Sequence, residues 1–182
     1  MAIRTKKKSS KGKAKGASKA SAQRRATRAN PSAGALLREL ADRRAIEDGV
    51  IAYAHALDSR DYARLDAFMK SDVRVKYSDA PLLHGVSAAV EYCRRALDWL
   101  DMSQHRMSSI DIRLAGDRAT SVAYLCAEHV KRGLADGERY TVGGSYIDQW
   151  ERTREGWRMA ERRLVVSWSE GNPGVLGGGV RA

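Results

Sequence analysis

The sequence predicts a single α+β domain, and three observations carry that prediction. Apolar residues recur at spacings of mostly three and four in the first half, and after Asp101 the pattern changes to period two. Three turn signals, Ala115-Gly116-Asp117, Ala135-Asp136-Gly137 and Arg154-Glu155-Gly156, then divide the second half into strands. A length of 182 residues leaves room for one domain with a substantial core, not for two ordinary ones. Three helices followed by a mainly antiparallel sheet bury their apolar faces by curling the sheet over the helices.

From Met1 to about Gly34 the chain is almost all Lys, Arg, Ala, Ser and Gly, with no aromatic residue. Such a segment buries too little surface to offset its ordering entropy, so residues 1–34 are expected to be a disordered basic tail. The first 30 residues carry eleven Lys and Arg and no Asp or Glu. Taking these eleven from the total of 33 leaves 22 cations against 22 anions, so the remainder is formally neutral. Any non-specific contact with nucleic acid therefore belongs to the tail, through phosphate neutralisation that salt would weaken.

Between Leu36 and Asp58, the residues Leu36, Leu40, Ile46, Val50, Tyr53 and Leu57 mark one buried helix face. Ser59 and Asp61 are candidate caps for a shorter helix, Tyr62 to Lys70, with Leu65 and Phe68 turned inward. Val73, Val75 and Tyr77 alternate with Arg74, Lys76 and Ser78 and predict a strand. Pro81 and Gly85 bracket a loop, and Val90, Cys93, Leu97 and Leu100 return to helical spacing from Val86 to Leu100. Four strands follow, at about 104–114, 118–132, 138–151 and 157–169, joined by short turns into an antiparallel meander. The domain is thus bounded at 35–172, and the Gly-rich residues 173–182 are expected to be a flexible tail.

The two cysteines, Cys93 and Cys126, have no framework spacing, so no disulfide is expected. No run approaches the roughly 18 apolar residues that span a bilayer, and the expectation is a soluble, cytoplasmic protein without a membrane partner. No pair of histidines has zincin spacing, and no Cys and His cluster makes a zinc site, so no metal is expected. Gly143-Gly144 and Gly177-Gly178-Gly179 lack the phosphate-binding patterns, so no nucleotide or other cofactor is expected either. The first pair sits inside a strand and marks a bend. Trp150, Trp157 and Trp168 read as core or subunit-interface residues, while His55 and His84 lie off the apolar faces.

Chemistry is left to a few residues. Asp58 ends the first helix, where burial requires a partner and the helix's negative pole disfavours its charge. His129 shares one side of its strand with Ala123, Leu125 and Ala127 and should point inward. His105 has the opposite parity to Ile110, Ile112 and Leu114, so it faces inward only across a bulge. If the sheet wraps the first helix, His105 meets Asp58, and the carboxylate fixes the imidazole's tautomer for use as a general base. A phenol in the same space, Tyr53 or Tyr77, can hydrogen-bond a developing enolate or protonate a leaving oxygen. The same side chains are open to the bland reading, in which Asp58 caps a helix and the histidines are satisfied core residues.

The run Tyr53-Ala-His-Ala-Leu-Asp58-Ser-Arg-Asp61-Tyr62, then Asp72-Val-Arg-Val-Lys-Tyr77, Gln104-His105 and Glu128-His129, resembles the SnoaL-like branch of the NTF2-like superfamily over roughly Leu37 to Asn172. That resemblance implies an NTF2-like cone, a curved, mainly antiparallel sheet around three N-terminal helices. The pattern is similar to bile-acid dehydratase, whose catalytic Tyr, Asp and His would fall on Tyr53, Asp58 and His105. It also resembles scytalone dehydratase, whose site would map to Asp58, Tyr77, His105 and His129, with a pocket Ser near Ser145. Two positions depart from that enzyme, Leu57 where it has a second Tyr and Ile147 where it has a pocket Asn. Hexachlorocyclohexane dehydrochlorinase shares the Asp and His. The resemblance implies a cofactor-free lyase acting on a small apolar cyclic or polycyclic substrate, in a homo-oligomer, dimer or trimer. Leu57, Leu125, Ser145 and Ile147 are the expected substrate-binding residues. An isomerase or polyketide-type cyclase with the same base, and a non-catalytic ligand-binding or assembly subunit, are the alternatives.

Overall fold

The structure is a computed structural model that describes residues 31–177; residues 1–30 and 178–182, with the greater part of the expected basic tail and the end of the Gly-rich tail, lie outside the described residues. Among the described residues, the chain from Ser32 forms one compact unit. Helix α1 spans Ala33–Ser59 and starts two residues inside the expected tail, because Ser32 caps it: its hydroxyl accepts the Ala35 N–H. Leu36 and Leu40 share the periodicity of the buried face yet are exposed, as is Leu37, because burial begins only at Ile46. Within the packed stretch Gly49 lies against the Trp150 ring; a Cβ there would come within 2.7 Å of it.

The helix stops at Arg60, whose left-handed φ of 60° turns the chain and whose N–H returns to the Leu57 carbonyl. The expected second helix is instead a 3-10 turn, Tyr62–Ala67, with Leu65 and Phe68 buried as predicted. Neither candidate cap caps it. The Asp61 side chain makes no cap bond, and the Ser59 hydroxyl donates back to the His55 carbonyl.

The strands are β1 (Met69–Tyr77), β2 (Leu83–His84, inside the expected loop), β3 (Met102–Ala115), β4 (Arg118–Val130), β5 (Arg139–Thr153) and β6 (Gly156–Gly171). Helix α2, Val86–Leu97, sits between β2 and β3. The six strands form one sheet in the order β2-β1-β6-β5-β4-β3. Strands β3 to β6 are the predicted antiparallel meander, and only β1 and β6 pair in parallel, which no local turn signal announces. The sheet curves so that α1 touches both β3, at one edge, and β6, beside β1, while α2 packs on β1. This is the α+β cone expected from the sequence, a curved, mainly antiparallel sheet around the helices. The Gly143-Gly144 bend is real: the β5–β6 register shifts there, and the Gly144 backbone approaches the Val165 carbonyl so closely that a Cβ would lie 2.3 Å from it.

The flexible tail expected from residue 173 is not what the chain does first. Pro173–Leu176 form a 3-10 turn capped by the Asn172 side chain, and they bury Val175 and Leu176 in the core. Two apolar residues are too few to show periodicity, so the glycines around them hid the element.

Candidate active site

Asp58 is the next-to-last residue of α1, and the edge strand β3 passes beside it. Its carboxylate accepts three hydrogen bonds: from the His105 ring at Nδ1 (2.6 Å), from the His105 backbone N–H (2.8 Å) and from the Ser103 hydroxyl (3.1 Å). The three donors come from alternate residues of one strand, whose side chains point the same way. That is possible because of the bulge the parity required. Ser109 and Ile110 together oppose Ala123 alone, the register shifts between Ser108 and Asp111, and Ser109 takes φ 49°. Ser103, His105 and Met107 therefore face inward on one side of the bulge, and Ile110 and Ile112 on the other. Partial burial pushes the Asp58 carboxyl up, but the bonds from His105 and Ser103 outweigh it and hold it below the ordinary carboxylate value.

Arg60 completes this corner. Its guanidinium donates to the Leu57 carbonyl (2.5 Å), which thus takes a second bond besides the Arg60 N–H, and to the Ser103 hydroxyl (2.7 Å), leaving the Ser103 O–H to point at Asp58. With Nδ1–H committed to the carboxylate, Nε2 of His105 is the acceptor nitrogen, and His105 lines the cavity inside the cone. Asp58 does not line that cavity; its carboxylate meets the imidazole at Nδ1.

The cavity holds about 80 Å³ and is walled by Tyr53, Leu57, Tyr77, Leu125, His129 and Tyr146 among others. His129, on the neighbouring strand β4, lies diagonally opposite His105, with the rings edge to face at 5.6 Å, and its Nδ1–H donates to the Tyr140 carbonyl. Burial, reinforced by His105 nearby, lowers its pKa to about 4, so it is neutral at pH 7. On the opposite wall the Tyr53 and Tyr77 hydroxyls are 2.5 Å apart, and Tyr77 also reaches the Cys93 sulfur at 3.4 Å. Burial pushes both phenols well above their ordinary value, so they are hydroxyl donors at neutral pH.

Behind Tyr53 is a charged pair that the pattern reading missed. Arg162 and Asp148 are fully buried and joined by two parallel bonds, 2.8 and 2.7 Å, and the Arg162 guanidinium lies 4.0 Å from the Tyr53 ring centroid and 4.1 Å from that of Tyr146. Ser121 donates to Asp148, and the Trp150 indole N–H donates to Ser121.

The structure thus brings together Tyr53, Asp58, Tyr77, His105 and His129, with Leu57 and Leu125 on the wall. Ser145 and Ile147 are not on it. The inward residues of β5 are Tyr146 and Asp148, so the two expected positions are one residue out of phase and face away. Leu164 and Leu176 are wall residues the sequence reading did not name. Trp150 and Trp157 are core residues, while Trp168 is half exposed over Gly143 on the outer face. Among the described residues no cluster of three or more His, Cys, Asp and Glu could hold a metal ion, and no helix is long and apolar enough to cross a membrane.

Residues 38–163 match a family model described as the SnoaL-like domain. The chain is 26% identical over 128 residues to the uncharacterized protein Rv2910c of Mycobacterium tuberculosis, covering 68% of this chain and 84% of that protein. An NTF2-like protein with a cystatin-like fold from Novosphingobium aromaticivorans superposes with a TM-score of 0.64 at 20% identity, covering 74% of this chain and 87% of that one. The hexachlorocyclohexane dehydrochlorinase LinA-type3 from Novosphingobium barchaimii superposes with a TM-score of 0.67 at 15% identity, covering 80% and 97%. At these identities the two structures speak to the fold.

Proposed function

Starting from the chain's membership of the SnoaL-like domain family, we propose that it is a cofactor-independent lyase that eliminates water, or an equivalent leaving group, from a small, mostly apolar cyclic or polycyclic compound. The observation that carries the reading is the 2.6 Å contact between Asp58 and Nδ1 of His105, which leaves Nε2 as a base on a cavity wall. His105 Nε2 removes a proton from a carbon beside a carbonyl, and the C–H electron pair passes into an enolate. Tyr53, backed by Tyr77, donates a hydrogen bond to the enolate oxygen. The enolate then collapses to the carbon–carbon double bond as the neighbouring C–O bond breaks, and the departing oxygen takes up the proton held on His105 Nε2, leaving as water and restoring the base. Neutral His129 orients the departing group from beside His105. Asp58 positions His105 and holds its tautomer.

The same proton abstraction serves an isomerase or a cyclase, and product mass separates them: an elimination loses a small molecule and an isomerisation conserves mass. The test is turnover of a panel of cyclic β-hydroxy ketones followed by mass spectrometry, with Asp58→Asn and His105→Ala as controls. Wild-type rates in both variants on a confirmed substrate would sink the mechanism. A homo-oligomer is supported by Tyr124, Val165 and Trp168, exposed on the outer sheet face. Contact with nucleic acid through residues 1–34 is supported only by their charge, and its loss on deleting that segment is the test.

A further inference from the structure

A buried ion pair of similar volume to two apolar residues contributes little net stability, because desolvation offsets the attraction. Arg162 and Asp148 are both fully buried in the core of this small domain. The pair is also lopsided. Asp148 takes the guanidinium through Nε and Nη2, and Ser121 donates to the same carboxylate. Among the described residues Nη1 of Arg162 finds no hydrogen-bond acceptor. What the guanidinium faces instead is the pair of tyrosine rings, at 4.0 and 4.1 Å, and both of those tyrosines line the cavity. The cation is thus held against the rings of two cavity-lining phenols, with its counter-charge set on another side of it.

We propose that Arg162, held by Asp148, is a positioning residue that gives the Tyr53 and Tyr146 wall a positive field, so that the cavity selects ligands carrying or developing a negative oxygen, namely phenols and enolisable ketones. Tyr53 would meet that oxygen, and its hydroxyl, joined to that of Tyr77, is the donor. A neighbouring cation favours negative charge on the phenol oxygens and on whatever shares a proton with them. In agreement, Arg162 opposes the rise that burial imposes on Tyr53 and Tyr146. The inference rests on the elimination reading only in taking Tyr53 as the oxygen-binding group; it requires no turnover.

The experiment uses 4-nitrophenol, whose absorbance reports its ionisation, and 4-nitroanisole as its neutral analogue. Both are titrated into the full-length chain. Wild type is expected to bind the phenolate at least about tenfold tighter than the anisole, the effect of a cation one ring away at an effective dielectric constant near 20, discounted for the counter-charge. Replacing the pair as a unit, Asp148→Leu with Arg162→Met, leaves no charge unpaired and should keep the fold by thermal melting, while the phenolate preference falls about tenfold and anisole affinity holds. Asp148→Asn removes only the counter-charge and should move the preference the other way. Equal binding of the two probes by wild type, or variants that leave the preference unchanged or shift it in the same direction, would overturn the inference. Phenolate selectivity that behaves as expected in a protein without eliminase activity would instead sink the lyase reading and leave this one standing.

Discussion

Replacing Asp58 by Asn tests the site at its hinge. The carboxylate has two acceptor oxygens serving three donors, and the amide can offer only one. If the amide NH2 faces the imidazole, Nδ1 must become an acceptor, so the proton moves to Nε2 and the base toward the cavity is lost. If the oxygen stays there, the NH2 group confronts the His105 backbone N–H, leaving a partly buried donor unpaired at a cost of about 1–3 kcal/mol. The first arrangement is the cheaper, because the proton needs only to change nitrogen. We expect turnover to fall by about 10²- to 10⁴-fold, the usual range for removing a positioned general base, with KM little changed. The assay that needs no substrate is 15N NMR of the imidazole: Nδ1 protonated in the wild type, Nε2 protonated in Asp58→Asn. Retention of the Nδ1 proton in the variant, or unchanged turnover despite the switch, would refute the reasoning.

Stability should fall with acid. His129 has its pKa lowered from 6.5 to about 4 in the folded state, so its contribution is complete above 6.5 and is lost as pH drops toward 4, about 3 kcal/mol over that window. Asp58, also lowered on folding, acts in the same direction below the ordinary carboxylate value; urea unfolding from pH 7.5 to 4.5 should show the His129 slope, which His129→Gln should flatten, and carrying the titration on to about pH 3 should add the Asp58 part. Gly49→Ala should destabilise by about 1–2 kcal/mol in urea despite a helix-propensity gain near 1 kcal/mol, because the new Cβ meets a Trp150 ring that is buried and tied to Ser121. Leu176→Ala should cost about 2 kcal/mol or more, measured the same way, whereas a freely moving tail would give no change.

The parts of this fold that were legible in the sequence are those where a local pattern answers to a local cause. Period two and the three turns produced the meander, because hairpin pairing needs only neighbouring residues. His105 was legible through a contradiction: its wrong parity demanded a bulge, and the Ser109 backbone supplies it. Where the cause is distant the pattern misled. Leu36 and Leu40 continue the buried stripe of α1 by spacing, but whether a stripe is covered depends on what lies opposite. Ser145 and Ile147 were placed by resemblance, and a shift of one residue turns such a pair to the other face. Arg162 was hidden by a second irregularity. The β5–β6 register shifts between Gln149 and Trp150, so inward positions on β6 run Trp157 and Met159, then Arg162 and Leu164, and no single alternation connects them.

The two irregularities have the same effect on function. A regular β3 that buried Ile110, Ile112 and Leu114 would turn His105 outward, and a regular β6 that buried Trp157 and Met159 would do the same to Arg162. In each strand the apolar pair Ile110 and Ile112, or Trp157 and Met159, lies on one side of a slip and the polar side chain on the other, so packing holds the strand while the slip sets the direction of one polar side chain. Regular alternation cannot do both, since every residue of one parity shares one face. The placing of His105 on the cavity wall and that of Arg162 behind Tyr53 and Tyr146 are therefore both products of broken register. Ser109→Val keeps the chain length but disfavours the φ of 49° that the bulge needs, so it should press β3 toward even alternation, leave its apolar residues paired with β4, and turn His105 away from Asp58. A folded Ser109→Val variant that kept its Nδ1 proton bonded to Asp58 would show that something other than the Ser109 bulge aims the imidazole.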